Sequence, residues 1–449
     1  MVQVPSELDA AGLTKRYTYG TWRAQKGWVP RIIVDAEGCN FTDSTGKVFL
    51  DFSSQLMCSN LGHRNKAVID AICEQAKKLP FVAPAFGTEV RAELSKSLLD
   101  VMPQGLEKFF YATSGTEANE AAIKIARQFT GKYKIISRYT SYHGSTAGSM
   151  SLTGDPRRYM IEPAGTIQGA LHGPDAYCYQ CPFGLNYPDC GIACADYIEH
   201  MIEHESNVAA VIVEPVVGSN GVIVPPDEYL PRLREITRKH GVLLICDEVM
   251  SGWGRTGEWF AVDNWKVKPD ILSTAKGITG AYIPLSITAT TREISDYYED
   301  HYFALGHTYE AHPLTLAAGV AAIQEYKRLD LIKHAKKLGE YMGKQLRALK
   351  DKHASVGDVR GLGLFWGIEL VRNRKTRAWF NTREDKLQGK PMMVDRVAND
   401  CMNNGVYFST WLNYIVAAPP LIISEEEIDR GTAALDKSLT LADKEVESA

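Results

Sequence analysis

The sequence predicts an α/β protein built on a mostly parallel sheet, with a second, smaller domain. Three observations point there. Short strands that are apolar throughout, such as Lys108–Ala112, Lys134–Ser137, Val208–Val213 and Val242–Cys246, alternate with helical stretches. Strands of that kind are buried on both faces, as in a sheet covered by helices. After about residue 315 long helical patterns take over, and a chain of 449 residues exceeds one compact unit. Residues 61–320 are therefore read as the large domain, and 1–60 and 321–449 as two pieces of a smaller α+β domain.

Composition narrows the class of function. Apolar residues make up 45% of the chain, charged residues 23%, and the net charge is −4. Basic and acidic residues are mixed, so no nucleic-acid footprint is present. Residues Met1 to Asp9 lack the basic start and apolar stretch of a signal peptide, and no apolar run is long enough to span a bilayer. The expectation is a cytoplasmic protein. Nine cysteines, an odd number spread over the chain, do not resemble a secreted disulfide framework.

In chain order, an aromatic-rich segment with Tyr17, Tyr19, Trp22 and Trp28 precedes a hairpin-like pair, Arg31–Asp35 and Lys47–Asp51, joined through Gly38. A helix is predicted around Ala67–Lys78, with Val68, Ile69, Ile72 and Ala76 on one side. Helix Ala92–Met102 leads to strand Lys108–Ala112, and helix Glu117–Thr130 to Lys134–Ser137. A helix near Tyr229–Lys239 stops where Gly241 supplies a left-handed cap. Gly361–Leu370 reads as one glycine-punctuated strand.

Four places could carry chemistry. Ser114 with Glu117 is a capping box, and its helix begins directly after the strand Lys108–Ala112. Such a helix start presents free N–H groups and the positive end of its dipole, which suits an anion such as phosphate. Gly115 admits close backbone approach, and Ser114 and Thr116 add hydroxyls. Tyr142-His143-Gly144 follows the strand Lys134–Ser137, where a tyrosine could stack on a flat ligand. Two strands run into carboxylates, Glu214 and Asp247-Glu248, which need cationic partners if buried. For Glu214 that partner could simply be Arg or Lys. Finally, Lys276 follows the β-rich run Asp270–Thr274. Burial would disfavour its charged form and make the amine a nucleophile.

Taken together, these residues resemble the class III pyridoxal-phosphate aminotransferases of fold type I, most of all the taurine, β-alanine and ω-amine:pyruvate group. The resemblance covers most of the chain. It rests on Ser114-Gly115-Thr116-Glu117-Ala118, Tyr142-His143-Gly144, Glu214-Pro215, Asp247-Glu248-Val249 with Gly252 and Gly254-Arg255-Thr256-Gly257, Lys276-Gly277, and Gly306-His307-Thr308-Tyr309 before His312-Pro313. It implies that Lys276 holds pyridoxal 5'-phosphate as a Schiff base and then shuttles the proton. Asp247 would pair with the pyridine nitrogen, with Tyr142 and Val249 against the two ring faces and His143 and Glu214 nearby. Ser114, Gly115 and Thr116 would hold the phosphate, joined by Thr308 of the neighbouring subunit. A homodimer, or a dimer of dimers, follows. The amine donor would be an ω-amine or ω-amino acid and the acceptor a small keto acid.

Two departures stand out. The family's carboxylate-binding arginine is missing before Pro419-Pro420, where the chain reads Phe408-Ser409-Thr410-Trp411-Leu412-Asn413-Tyr414 onward. Met57 stands where amine-using members often carry an aromatic residue. Trp22, Met57, Tyr142 and Trp411 are the expected substrate-pocket residues. The missing arginine keeps a phospho-lyase, decarboxylase or racemase on the same scaffold as the alternative, and a non-catalytic scaffold behind that. Cys178, Cys181, Cys190 and Cys194 have spacing that admits zinc, free thiols or oxidised pairs. No metal is assigned to the reaction.

Overall fold

A computed structural model describes residues 9–162 and 165–447. Near the N-terminus β1 (Ile33–Glu37), β2 (Asn40–Asp43) and β3 (Val48–Asp51) form an antiparallel meander. The expected direct pairing of Arg31–Asp35 with Lys47–Asp51 is thus replaced, because β2 lies between them. Gly38, at φ 55°, makes the turn that inserts it. With Phe41 as its sole large apolar residue, β2 carries little strand signature.

The central sheet holds β4 (Leu106–Ala112), β5 (Lys134–Arg138), β6 (Ala170–Gly173), β7 (Val208–Val213), β8 (Leu243–Asp247), β9 (Ile271–Thr274) and β10 (Ser286–Thr291). Their order is β4-β10-β9-β8-β7-β5-β6. Neighbours from β5 through β9 are parallel, and β10 runs antiparallel to both β9 and β4. Every residue of β7 is buried, as its apolar run predicts. β10 reads Ser-Ile-Thr-Ala-Thr-Thr and is buried up to its last residue. The Thr288 hydroxyl is satisfied by donating to the Ala118 carbonyl at 2.8 Å.

Helix Gly115–Thr130 packs across this sheet, with Ala118, Ala121, Ala122, Ile125 and Ala126 buried. The helix expected over Ala92–Met102 runs from Glu89 to Leu99 instead. Thr88 caps it by accepting from Arg91 N–H at 3.2 Å.

The C-terminal part contributes β11 (Val356–Leu362), β12 (Phe365–Asn373), β13 (Ala378–Trp379), β14 (Val406–Tyr407), β15 (Ser409–Trp411) and β16 (Tyr414–Ala417). The single strand expected over Gly361–Leu370 is a hairpin turn between β11 and β12, which pivots at Gly363 with φ 53°. β14 pairs in parallel with β3, so the two ends of the chain share one sheet.

Arg255 locks these parts together. Its buried guanidinium donates to the carbonyls of Leu364 (3.1 Å) and Pro419 (2.5 Å), to Ser54 Oγ (3.1 Å) and to Asn60 Oδ1 (2.5 Å). Ser54, Gln55 and Met57 all have left-handed φ, at 45°, 59° and 53°. Strain of that kind costs about 1–3 kcal/mol per residue. The loop is held by Asp51, whose carboxylate accepts from Gln55 N at 2.9 Å and Ser53 N at 3.2 Å.

Candidate active site

Lys276 follows directly after β9 and Ala275, with φ 50°, a conformation uncommon for residues other than glycine. Two contacts hold the backbone in place. Tyr326 Oη–H donates to the Gly277 carbonyl at 2.7 Å, and Trp253 Nε1–H to Thr274 Oγ1 at 2.8 Å. A Cβ at Gly277 would come within 2.5 Å of the Asn60 side chain, so only glycine fits there. Burial lowers the Lys276 pKa, against the opposing pull of Cys58, Asp247 and Glu214. The amine is thereby biased toward its neutral, nucleophilic form.

Asp247 closes β8 and is buried. Its Oδ2 accepts from Asn119 Nδ2 at 2.7 Å and pairs with His143 Nδ1 at 2.8 Å, while Oδ1 accepts from Val249 N at 3.0 Å. Sequence reasoning missed Asn119. Its signal was there: a polar residue beside the apolar stripe of helix Gly115–Thr130. His143 is fully buried behind Asp247, so it orients the carboxylate.

Glu214 follows β7. Its carboxylate accepts from Tyr142 N at 3.0 Å and Gly218 N at 2.7 Å. Burial raises its pKa. Among the described residues it makes no ion pair with Arg or Lys. It therefore positions the Tyr142 backbone from below.

At the start of helix Gly115–Thr130 the capping box is closed: Ser114 Oγ accepts from Glu117 N at 3.3 Å, and the Glu117 carboxylate accepts from Ser114 N at 3.1 Å and Thr113 N at 2.7 Å. The N–H groups of Gly115 and Thr116 have no partner among the described residues. A Cβ on Gly115 would lie 2.6 Å from Val249 Cγ1, so the Asp247-Glu248-Val249 turn and the helix start meet only through glycine.

Three of the four expected pocket residues, Trp22, Tyr142 and Trp411, converge on Arg157, which sequence reasoning also missed; Met57 does not. Arg157 opens helix Pro156–Ile161, capped by Asp155. Its guanidinium carbon lies 3.8 Å from the Tyr142 ring centre, 4.3 Å from that of Trp411 and 5.8 Å from that of Trp22. Nε donates to Asp155 Oδ2 at 2.8 Å, and Nη2 to Asp155 and to Ser219 Oγ at 2.8 Å. Nη1 makes no hydrogen bond among the described residues. Met57 is buried in an apolar cluster with Val216, Val222, Phe365 and Val416. Thr308 is exposed in the turn at 307–310.

The residues fit pyridoxal phosphate. A lysine amine of lowered pKa, a buried carboxylate fixed by three donors, a half-buried tyrosine and two free N–H groups at a helix start match its aldehyde, ring nitrogen, ring face and phosphate.

Proteins of similar sequence and structure define the same class as the fold and site. Residues 22–439 match the family model described as aminotransferase class-III. The chain is 32% identical to the taurine–pyruvate aminotransferase of Bilophila wadsworthia, covering 98% of each. It is 34% identical to the leucine/methionine racemase of Thermococcus litoralis, over 92% of this chain and 91% of that one. Among solved structures, the taurine:2-oxoglutarate aminotransferase of Bifidobacterium kashiwanohense, in complex with PLP and glutamate, superposes with a TM-score of 0.91 at 37% identity, covering 97% of this chain and 98% of that one. This chain belongs to the class III aminotransferases. It is a pyridoxal-phosphate-dependent enzyme of fold type I.

Proposed function

We propose that this enzyme moves an amino group from a short ω-amino acid, a sulfonate or carboxylate of the taurine and β-alanine kind, to a small keto acid such as pyruvate. The observation that carries this reading is Arg157. Donor and acceptor both end in an acid group, and a guanidinium recognises such a group through charge-assisted hydrogen bonds. Asp155 and Ser219 fix one side of Arg157, the rings of Tyr142 and Trp411 flank it, and Nη1 is left to bind. That supplies the cation lacking before Pro419. The names of the taurine-using relatives support the same substrate class.

Each residue then has a task. Lys276 would be the attachment point, and its amine would be the base that takes the proton from the substrate carbon and returns it. Bound pyridoxal phosphate supplies the electron sink for the pair left behind. Asp247, held by Asn119 and His143, would keep the ring nitrogen protonated. Tyr142 and Val249 would hold the ring faces, Gly115 and Thr116 with Ser114 the phosphate, and Trp22, Met57 and Trp411 would shape the substrate end. We further propose a homodimer in the cytoplasm, with Thr308 reaching the partner's phosphate site. Phe81 and Tyr309 are exposed beside His312, an apolar patch next to Thr308 suited to a second subunit. All nine cysteines are free, in keeping with a reducing compartment.

The test is the cofactor's visible band in the holoenzyme. Taurine or β-alanine should bleach it and pyruvate restore it. A band that persists with every donor, while a chiral amino acid loses its optical activity, would make the enzyme a racemase. Arg157→Lys keeps the charge and loses the planar fork. It should lower kcat/KM for taurine and pyruvate by about 10- to 100-fold and leave an arylalkylamine donor unchanged. Equal losses for both donor types would sink the assignment of Arg157.

A further inference from the structure

We propose that the basic segment 374–390, through Arg383 and Lys386, sets a preference for an anionic acceptor by drawing the keto acid to the Arg157 end of the pocket. This rests on the reading of Arg157 as the residue that binds the acid group. Arg374, Lys375, Arg377, Arg383, Lys386 and Lys390 stand there against Glu384 and Asp385, six positive charges to two negative, in a chain whose net charge is −4. So dense an excess of one sign makes a local field that attracts anions.

Little of that charge is neutralised. Arg374 donates to the carbonyls of Lys350, His353 and Val356, and Arg377 to the carbonyl of Tyr179. A carbonyl satisfies the donors of a guanidinium and leaves its charge in place. Lys375 and Arg383 make no ion pair among the described residues. Lys386 reaches Asp395 only at 3.9 Å, and that carboxylate also accepts from Thr410 Oγ1 at 2.5 Å. Lys390 is tightly paired, with Asp385 at 2.8 Å.

The segment is fixed against the pocket. β13 pairs with β12, and Trp379 Nε1–H donates to the Glu369 carboxylate at 2.7 Å. Helix Arg383–Leu387 is capped by Thr382, whose hydroxyl accepts from Asp385 N at 3.1 Å, and it packs against helix Pro156–Ile161, which carries Arg157. Lys386 Nζ lies 4.9 Å from the centre of the Trp411 ring, and the Arg157 guanidinium carbon 4.3 Å from that of the same ring. The two cations are therefore within about 10 Å of each other, one screening length at about 0.1 M salt.

The pocket itself lacks a net positive charge for an anion. Asp155 pairs with Arg157 through Nε and Nη2, so that clamp is neutral as a whole. A phosphate monoester carries about −1.5 to −2, and the cofactor's would add that to the same pocket. A keto acid is an anion as a whole, whereas taurine and β-alanine are zwitterions and a plain amine is a cation. Arg157 can recognise an acid group at contact. To favour the whole anion over the whole cation, the excess charge must come from outside the Arg157–Asp155 pair, and Arg383 and Lys386 supply it.

In the full-length holoenzyme, Arg383→Gln with Lys386→Gln should lower kcat/KM for pyruvate by about 3- to 10-fold at about 0.01 M salt, through KM, with kcat retained. The gap should close by about 0.5 M salt. Propanal, an uncharged acceptor, should react as in wild type. So should pyruvate with Lys268→Gln, which removes an exposed charge three residues before β9, at the end of that strand away from Lys276. An unchanged kcat/KM for pyruvate overturns the proposal, as do losses that persist in salt or extend to propanal. Propionate, which carries the acid group and cannot react, separates this failure from failure of the proposed reaction. Its Kd, followed by calorimetry on the holoenzyme, should rise in the double variant with the same salt dependence, even if wild type uses neither taurine nor pyruvate. Equal propionate affinity in the two proteins overturns the proposal whatever the donor proves to be.

Discussion

His143 donates its Nδ1–H to Asp247 across 2.8 Å and keeps Nε2 buried without a partner among the described residues. A carboxylate can only accept, so the pair fixes the histidine tautomer. With Asn119 on the same oxygen, Asp247 can turn neither away nor toward a neighbouring strand. His143→Asn should retain the cofactor and lower kcat by about 10- to 100-fold, the effect of removing one hydrogen bond to a buried charge. Asp247→Asn should lose more, and single-turnover absorbance checks both. Equal losses would show that His143 does more than orient Asp247.

Gly115→Ala places a methyl group 2.6 Å from Val249 Cγ1. Valine must move, and with it the turn behind Asp247. Cofactor dissociation should accelerate by about 10-fold, corresponding to roughly 1.4 kcal/mol. Val249→Ala in the same chain should recover part of the loss. No recovery would place the fault in the backbone.

Reattachment of pyridoxal phosphate to the apoenzyme should show a depressed pH midpoint. Lysine ordinarily titrates near 10.5, and burial lowers Lys276 from there. A lowered pKa means more neutral amine at any given pH, so the rate should rise with pH and level off before 10.5. A midpoint at or above that value would contradict the buried environment.

Asp443 anchors the last helix, Glu425–Asp443. It accepts from His353 at 2.7 Å, from Ser355 N at 3.0 Å and from Ser355 Oγ at 2.7 Å. Burial alone would raise its pKa, but these bonds win and it is lowered from 3.8. Its contribution is whole above that unfolded value and disappears as pH falls through the lower folded one. Asp443→Asn should cost about 1–3 kcal/mol at neutral pH, seen as a lower Tm. The gap between wild type and variant should close in acid.

The site was legible in the sequence where a residue sits at the end of an apolar strand. Asp247 ends β8, Glu214 follows β7 and Lys276 lies just past β9, and both the strand and the polar stop can be read along the chain. β10 escaped because its hydroxyls hide a buried strand behind a polar composition. Arg157 escaped for a different reason. Its partners Tyr142, Ser219 and Trp411 come from distant segments, and nothing in Asp155-Pro156-Arg157 beyond a helix start announces them. The small sheet was half legible: β2 lacks alternation, and β14 has two residues, too few to show a period.

The parallel pairing of β3 with β14 has a consequence for synthesis. Ser53 donates to the Val416 carbonyl from 363 residues away, and Arg255 grips Pro419 beside it. At translation rates of about 5–20 residues per second, the first strands wait roughly 20 to 70 seconds on the ribosome for their partners. During that interval Val48–Asp51 shows an open strand edge, the kind of surface that chaperones shield and aggregates recruit. The vulnerable moment of this enzyme comes before Val406–Ala417 are made.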